Sequence, residues 1–227
     1  QELKELAGRI AEMGGMAEGL VADAITALVR GDTALAQRVI LSDARLDRLQ
    51  RVVEEQAVVI IAKRQPMALD LRQIFTAMRI SGDLERVGDL AKSIAKRVVA
   101  MGGAIQVKRV VIGVEHLSEI ALEQLKGVLD AYAARDSEVA MKVRERDEQI
   151  DALYTSLFRE LLTYMMEDPR NITFCTHLLF CAKNIERIGD HATNIAEAVH
   201  YLVTGEQLSD DRPKGNDAEQ MKIEGEA

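Results

Sequence analysis

Two carboxylates one helical turn apart occur at corresponding places in two halves of this chain. Glu85 and Asp89 lie in Glu85-Arg86-Val87-Gly88-Asp89, and Glu186 and Asp190 lie in Glu186-Arg187-Ile188-Gly189-Asp190. Each segment runs on to an Ile-Ala pair, Ile94-Ala95 and Ile195-Ala196. A second acidic set precedes each: Asp43-Ala44-Arg45-Leu46-Asp47 is echoed by Asp147-Glu148-Gln149-Ile150-Asp151. Residues four apart on a helix share a face, with Cβ atoms ~5–6 Å apart, so like charges there repel. Each pair needs a cation, abundant water or a raised carboxyl pKa. If the two helices of one half are neighbours, Asp43, Asp47, Glu85 and Asp89 converge, and so do Asp147, Asp151, Glu186 and Asp190. Oxygen-only ligands of that kind suit Mg, Ca, Mn or ferric iron rather than a thiolate zinc site, and carboxylates can also bridge two or more ions. The competing account is a solvated face. Arg45, Arg48, Arg86, Lys92 and Arg187 are near enough in sequence to form surface ion pairs, each contributing ~0–1 kcal/mol. Repetition of the pairs in corresponding positions raises the metal reading above what one isolated acidic pair would carry.

Gly88 and Gly189 each stand just before the second carboxylate. A glycine inside a helix costs about 0.5–1 kcal/mol relative to alanine, so its double use implies a close approach to the backbone, by a packed helix or by a ligand. Catalytic patterns are otherwise sparse. Glu197-Ala198-Val199-His200 fits the E-x-x-H of di-iron bundles, which use two such motifs where this chain has one. There is no P-loop, no G-x-S-x-G elbow and no H-E-x-x-H. Among enzymes, a carboxylate-bridged metal hydrolase or oxidase is the class these residues would support. A metal-free helical scaffold is the other alternative.

The elements that must position these residues are helical. Leu84, Val87, Ala91, Ile94 and Val98 recur at spacings of three and four, the signature of one buried helix face. Asp32 or Thr33 caps a second helix after Gly31. Gln65-Pro66 ends it and puts Pro66 in the first turn of a third, which stops at Met101-Gly102-Gly103. Arg135-Asp136-Ser137 divides a fourth helix from a fifth, and Asp168-Pro169 divides the fifth from a sixth, with Asp168 as cap. Six helices of up to roughly thirty residues, about 45 Å each, joined by short turns, give an all-α protein of two tandem three-helix bundles. The expected boundaries are 1–102 and 103–205, with a polar, disordered tail over 206–227.

The composition agrees. Trp is absent, there are three prolines, and the net charge is -8. An acidic balance argues against direct nucleic-acid binding. Cys175 and Cys181, six apart on one helix, read as buried structural thiols of a reducing compartment rather than a disulfide. With no secretory signal and no long apolar run, the expected location is cytoplasmic.

The doubled E-R-[VI]-G-D motif, the Ala62-Lys63-Arg64-Gln65-Pro66…Asp70-Leu71-Arg72 segment and Val203-Thr204-Gly205 resemble the PhoU family of phosphate-signalling regulators. The resemblance runs from about Glu2 to Gly205. It implies two similar three-helix bundles with no catalysis, whose acidic motifs hold metal clusters of iron, manganese, magnesium or zinc. It implies a negative regulator of the phosphate-starvation response, linking the ATPase subunit of a phosphate ABC transporter to a membrane sensor histidine kinase, and acting as a homo-oligomer, often a dimer. Carried onto this chain, Glu85/Asp89 and Glu186/Asp190 match the two motifs. Asn194 completes the extended E-x-x-x-D-x-x-x-N form of the second. The first motif departs from it, with Ser93 in that place and Lys92 beside it, which implies weaker metal binding or a different number of ions there. Asp43, Asp47, Asp147 and Asp151 come from the internal repeat alone.

Overall fold

The computed structural model describes residues 1–103 and 108–208. Of the expected disordered tail, residues 209–227 lie outside the described residues. The chain forms α1 (Glu2–Arg30), α2 (Thr33–Arg64), α3 (Leu69–Ala100), α4 (Lys108–Ala134), α5 (Ser137–Glu145), α6 (Asp147–Glu167) and α7 (Ile172–Thr204), with no strand among the described residues. None of these helices is long and apolar enough to cross a membrane.

Local chemistry sets the boundaries. The Asp32 carboxylate accepts from the Leu35 N–H at 2.9 Å and starts α2, and Asp136 accepts from the Val139 N–H at 3.0 Å and starts α5. Caps of this kind stabilise by about 1 kcal/mol. Gly31 (φ 65°) ends α1, and at the corresponding place in the second half Arg135 takes φ 54°. Gly31 and Gly103 meet backbone to backbone at the junction between halves, where a Cβ on either would collide with the other's carbonyl oxygen.

Three boundaries differ from the sequence expectation. The expected last helix opens at Pro169 with Asp168 as its cap, whereas Asp168 caps a single 3-10 turn, Pro169–Asn171, and the α-helix begins only at Ile172. Pro66 lies in the α2–α3 loop rather than the first turn of α3, because Gln65 and Ala68 both take φ 47° and delay the helix to Leu69. The expected fifth helix is two, α5 and α6, hinged at Arg146 (φ -81°, ψ -4°). The hinge follows Arg144, whose guanidinium turns to Glu197 at 3.2 Å, whereas its counterpart Ile40 packs on the core. An apolar anchor is thus missing where the helix would have to continue.

In the first half α1, α2 and α3 pack on one another, and in the second α4, α5 and α6 surround α7. Each apolar face is buried: Leu84, Val87, Ala91 and Ile94 of α3 and Ile185, Ile188, Ala192 and Ile195 of α7 are all without exposed surface. The bundles join through α3 against α7 and α1 against α4 into one continuous core.

The α3–α7 seam is antiparallel and close to two-fold. Asn194 Nδ2 donates to Asp83 Oδ1 at 3.2 Å, and Asn184 Nδ2 donates to Ser93 Oγ at 3.0 Å. Asp83 and Asn184 hold the same place in the repeat, as do Ser93 and Asn194, so one contact is the rotated counterpart of the other. Arg72 stacks over Tyr201 at 5.5 Å towards one end, and Arg97 over Phe180 at 4.2 Å towards the other.

Candidate functional site

In the first half, Gly88 is what lets α2 lie close against α3. A Cβ there would stand 2.5 Å from Leu46 Cδ2 and 3.1 Å from Asp43 Oδ1. The approach brings Asp43 and Asp47 of α2 alongside Glu85 and Asp89 of α3. Asp43 is fully buried, and its Oδ2 accepts a hydrogen bond from Lys92 Nζ at 2.6 Å. The same ammonium lies 3.8 Å from Asp89 Oδ1, and Arg86 reaches Glu85 at 3.6 Å and Asp89 at 3.8 Å. Burial pushes the Asp43 carboxyl above its ordinary range against the pull of Lys92, with Asp47 and Asp89 adding to the rise. Glu85 is raised by burial and then by Asp89. Asp43 raises Lys92 in turn. Asp43 Oδ1 and Asp47 Oδ1 are buried without a hydrogen-bond partner among the described residues.

The second half repeats the frame with different contents. Gly189 admits Ile150, whose Cδ1 would meet a Cβ at 2.7 Å, and Gln124 Oε1, which would meet it at 3.3 Å. Asp190 is pushed up to about 6 by burial, then by Glu186, Asp147 and Asp151, against Lys183. These four carboxylates therefore sit within electrostatic reach of one another. Glu186 Oε1 takes Lys183 Nζ at 2.8 Å, while its Oε2 is buried and unpartnered. Gln124 is fully buried with both amide atoms unpartnered, and the Thr193 hydroxyl is in the same state.

The structure thus gathers eight of the nine sequence-derived residues into two acidic clusters. Among the described residues, no three His, Cys, Asp or Glu side chains stand in a ready metal-ligating arrangement. Asn194 is placed on the bundle seam, where Asp83 Oδ1 receives both its amide and, at 2.8 Å, His191 Nδ1. The E-x-x-H pair is engaged elsewhere: Glu197 holds Arg144, and His200 Nδ1 meets Ser137 Oγ at 2.8 Å. Cys175 and Cys181 are free and buried, as expected, and burial pushes Cys181 up to about 12.

Sequence reasoning missed Gln124 and Thr193. The signal was present in the repeat: where the first half has Leu20 and Lys92, the second has Gln124 and Thr193.

Comparison with known proteins gives a consistent result. The PhoU domain family matches residues 10–98 and 114–199. The phosphate-specific transport system accessory protein PhoU homolog of Rhizobium meliloti is 64% identical over 94% of this chain and 90% of its own length. The protein of the same description from Caulobacter vibrioides is 51% identical over 94% and 93%. Among solved structures, PhoU from Pseudomonas aeruginosa superposes with a TM-score of 0.87 at 39% identity, covering 90% of this chain and 98% of that one. The phosphate transport system regulatory protein PhoU from Streptococcus pneumoniae gives 0.84 at 28% identity, covering 92% and 98%.

Proposed function

Since this chain belongs to the PhoU domain family, we propose that it is a regulatory accessory protein of a phosphate-specific transport system rather than an enzyme. The observation that carries the reading is identity of 64% and 51% over 94% of the chain to proteins of that description. In the finer reading it is a cytoplasmic adaptor, active as a homodimer. With phosphate plentiful, it docks on the transporter's ATPase subunit and on a sensor histidine kinase. It holds the kinase in its inhibited, phosphatase-favouring state and damps uptake, so that it represses the phosphate-starvation response. Preferential binding to one kinase state is sufficient, because a ligand shifts a two-state equilibrium by its differential affinity. It meets the membrane only through these partners and does not contact nucleic acid.

The second acidic cluster fits a hard cation. Its donors are oxygens, Glu186 Oε2 is buried without a partner, and burial, followed by the neighbouring carboxylates, pushes Asp190 up to about 6. Glu186 and Asp190 from α7 and Asp147 and Asp151 from α6 are the residues that would hold it. Bound there, the cation supplies charge neutralisation and a link between the two helices. The protein's own residues do the rest: Gly189 sets the helix spacing, and α7 carries the cluster on one face and the seam to the first half on another.

The test is genetic and biochemical. Deleting the gene is expected to raise a phosphate-starvation reporter in phosphate-rich medium, and the tagged protein is expected to co-purify with the transporter ATPase and the sensor kinase. An unchanged reporter with neither partner recovered would refute the regulatory reading.

A further inference from the structure

Where the two halves meet, α1 of the first lies antiparallel to α4 of the second, with Gly14 packed against Leu129 and Gly31 against Gly103 before α4 begins. The N-terminal part of α1 and the C-terminal part of α4 bound an open cavity of about 480 Å³, floored by Gln73 and Ala77 of α3 and Leu202 of α7. We propose that this groove seats an amphipathic helix of a partner protein, with the N-terminus of that helix at Glu18 and Asp130 and its C-terminus at Arg135. The inference rests on the regulatory reading above and names where such a partner is held.

The groove is open at one end of the molecule because its residues there are small. On α1, the exposed Ala7, Ala11 and Gly15 form the wall. At the corresponding places on α4 stand Val111, Glu115 and Glu119. On the floor, Gln73 and Ala77 have as counterparts the buried Phe174 and Leu178. The repeat therefore sets a trough at one end against larger side chains at the other. From Leu3 to Glu18 the wall is about 22 Å long at 1.5 Å per residue, roughly four helical turns. A trough of that length between two helices admits the apolar stripe of a third.

Charge decides the occupant and its direction. Glu18, Lys126 and Asp130 stand together at the inner end: burial raises the Glu18 carboxyl most, Lys126 lowers it and Asp130 raises it. That end has one negative charge in excess, and Arg135 gives the mouth a positive one. Lys126, Asp130 and Arg135 make no ion pair among the described residues. None of the four charges recurs at the other end, where Leu122, Ala22, Thr26 and Gly31 hold the matching places. Arg135 keeps a left-handed φ of 54° where its counterpart is Gly31, and a strained backbone retained in this way points to a use for the side chain. An α-helix carries about half a positive charge at its N-terminus and half a negative charge at its C-terminus. Laid parallel to α4, it answers the acidic inner end and the basic mouth at once.

Capture of the transporter ATPase and the sensor kinase by the full-length tagged protein tests this, with thermal unfolding and oligomeric state measured alongside. Ala11→Trp fills the trough from an exposed position and should cut capture of one of the two partners about 30-fold, with unfolding unchanged. Glu18→Lys/Asp130→Lys should cut it about 10-fold. Arg135→Gly, which relieves the backbone, should cut it about 3-fold. Cross-linkers on Ala7→Cys and Gly15→Cys should mark one amphipathic helix of that partner, Gly15→Cys nearer its N-terminus. If Ala11→Trp does not fold, the cross-links decide alone, and labels outside a single helix or in the reverse order would overturn the proposal. Undiminished capture of both partners by Ala11→Trp would overturn it while leaving the regulatory reading intact. So would loss of self-association with capture unchanged, which would assign the groove to a second copy. No capture of either partner by wild type would overturn both.

Discussion

The two halves of the molecule set different cations against their acidic clusters, Lys92 and Arg86 in the first and Lys183 in the second. Both place two carboxylates on the last helix opposite two on the preceding one, and both use a glycine to bring those helices together. In the first, Lys92 reaches across to a buried Asp43, and Arg86 spans Glu85 and Asp89. In the second, Lys183 pairs with Glu186 from the exposed side, and Asp190 remains pushed up to about 6. A duplicated backbone therefore does not imply a duplicated site. Two substitutions in the repeat, Leu20 against Gln124 and Lys92 against Thr193, give the two clusters different surroundings, with buried neutral polar groups in the second where the first has a leucine and an ammonium. The difference also teaches where stability resides. Burial of carboxylates costs both halves, raising Asp43 and Glu85 in the first and Asp190, furthest, in the second.

Removing Lys92 breaks the comparison most severely. Lys92→Met leaves Asp43 fully buried without its counter-ion, and breaking a buried pair in this way costs about 3–5 kcal/mol. Chemical denaturation in the presence of chelator should show that loss, whereas Thr193→Val on the other half should change stability by less than about 1 kcal/mol. Equal effects from the two variants would mean that Lys92 is an ordinary surface ion pair.

The next largest effect separates the ends of α1 and α4. Gly31 and Arg135 close equivalent helices in the left-handed region, but only Gly31 is pressed against another backbone, that of Gly103. Gly31→Ala therefore meets both an unfavourable φ, costing about 1–2 kcal/mol, and a clash with the Gly103 carbonyl. A loss of about 2–3 kcal/mol is expected in the same denaturation experiment. Arg135→Gly relieves the φ penalty against a gain in unfolded-state entropy of about 0.4–1 kcal/mol, so its net effect should be small and stabilising. A destabilised Arg135→Gly would show that the Arg135 side chain contributes more than its backbone strain removes.

Much of this was legible because duplication repeats its signals. The doubled E-R-[VI]-G-D fixed the two last helices and their acidic faces, and Asp32 and Asp136 marked helix starts by cap chemistry that acts within three residues. What escaped depends on longer reach. The Lys92–Asp43 contact spans two helices, so sequence showed Lys92 only as one of several nearby cations. Asn194 looks like a continuation of the acidic face, but at four residues past Asp190 the helix surface has begun to turn towards α3, where Asp83 receives it. The hinge at Arg146 was hidden because the apolar positions Val143 and Ile150 keep the spacing of Val39 and Leu46. Between them the second stretch exchanges Ile40 and Leu41 for Arg144 and Glu145. Gln124, polar on an otherwise apolar face, became informative only once its burial was visible.

The smallest expected effect tests the strain in the second cluster. Asp190 titrates at about 6 in the folded protein against an ordinary value of 3.8, so its ionised form is disfavoured by folding. A group raised in this way destabilises the fold fully above pH 6, and the penalty disappears as pH falls towards 3.8, where both states carry the proton. The two-unit rise corresponds to roughly 3 kcal/mol at most by the linkage constant, and to about 1 kcal/mol once the partial exposure of the carboxyl is allowed for. Asp190→Asn should therefore stabilise the chelator-treated protein by about 1 kcal/mol at pH 8 and by nothing near pH 4. Asp89→Asn, which removes a carboxylate shared by Lys92 and Arg86, should not stabilise the protein. Matching pH profiles for the two variants would mean that the second cluster is as well neutralised as the first. Added Mn²⁺ at pH 8 should reverse the order, making wild type the more stable protein, because the ion rewards the very charge that the empty cluster penalises.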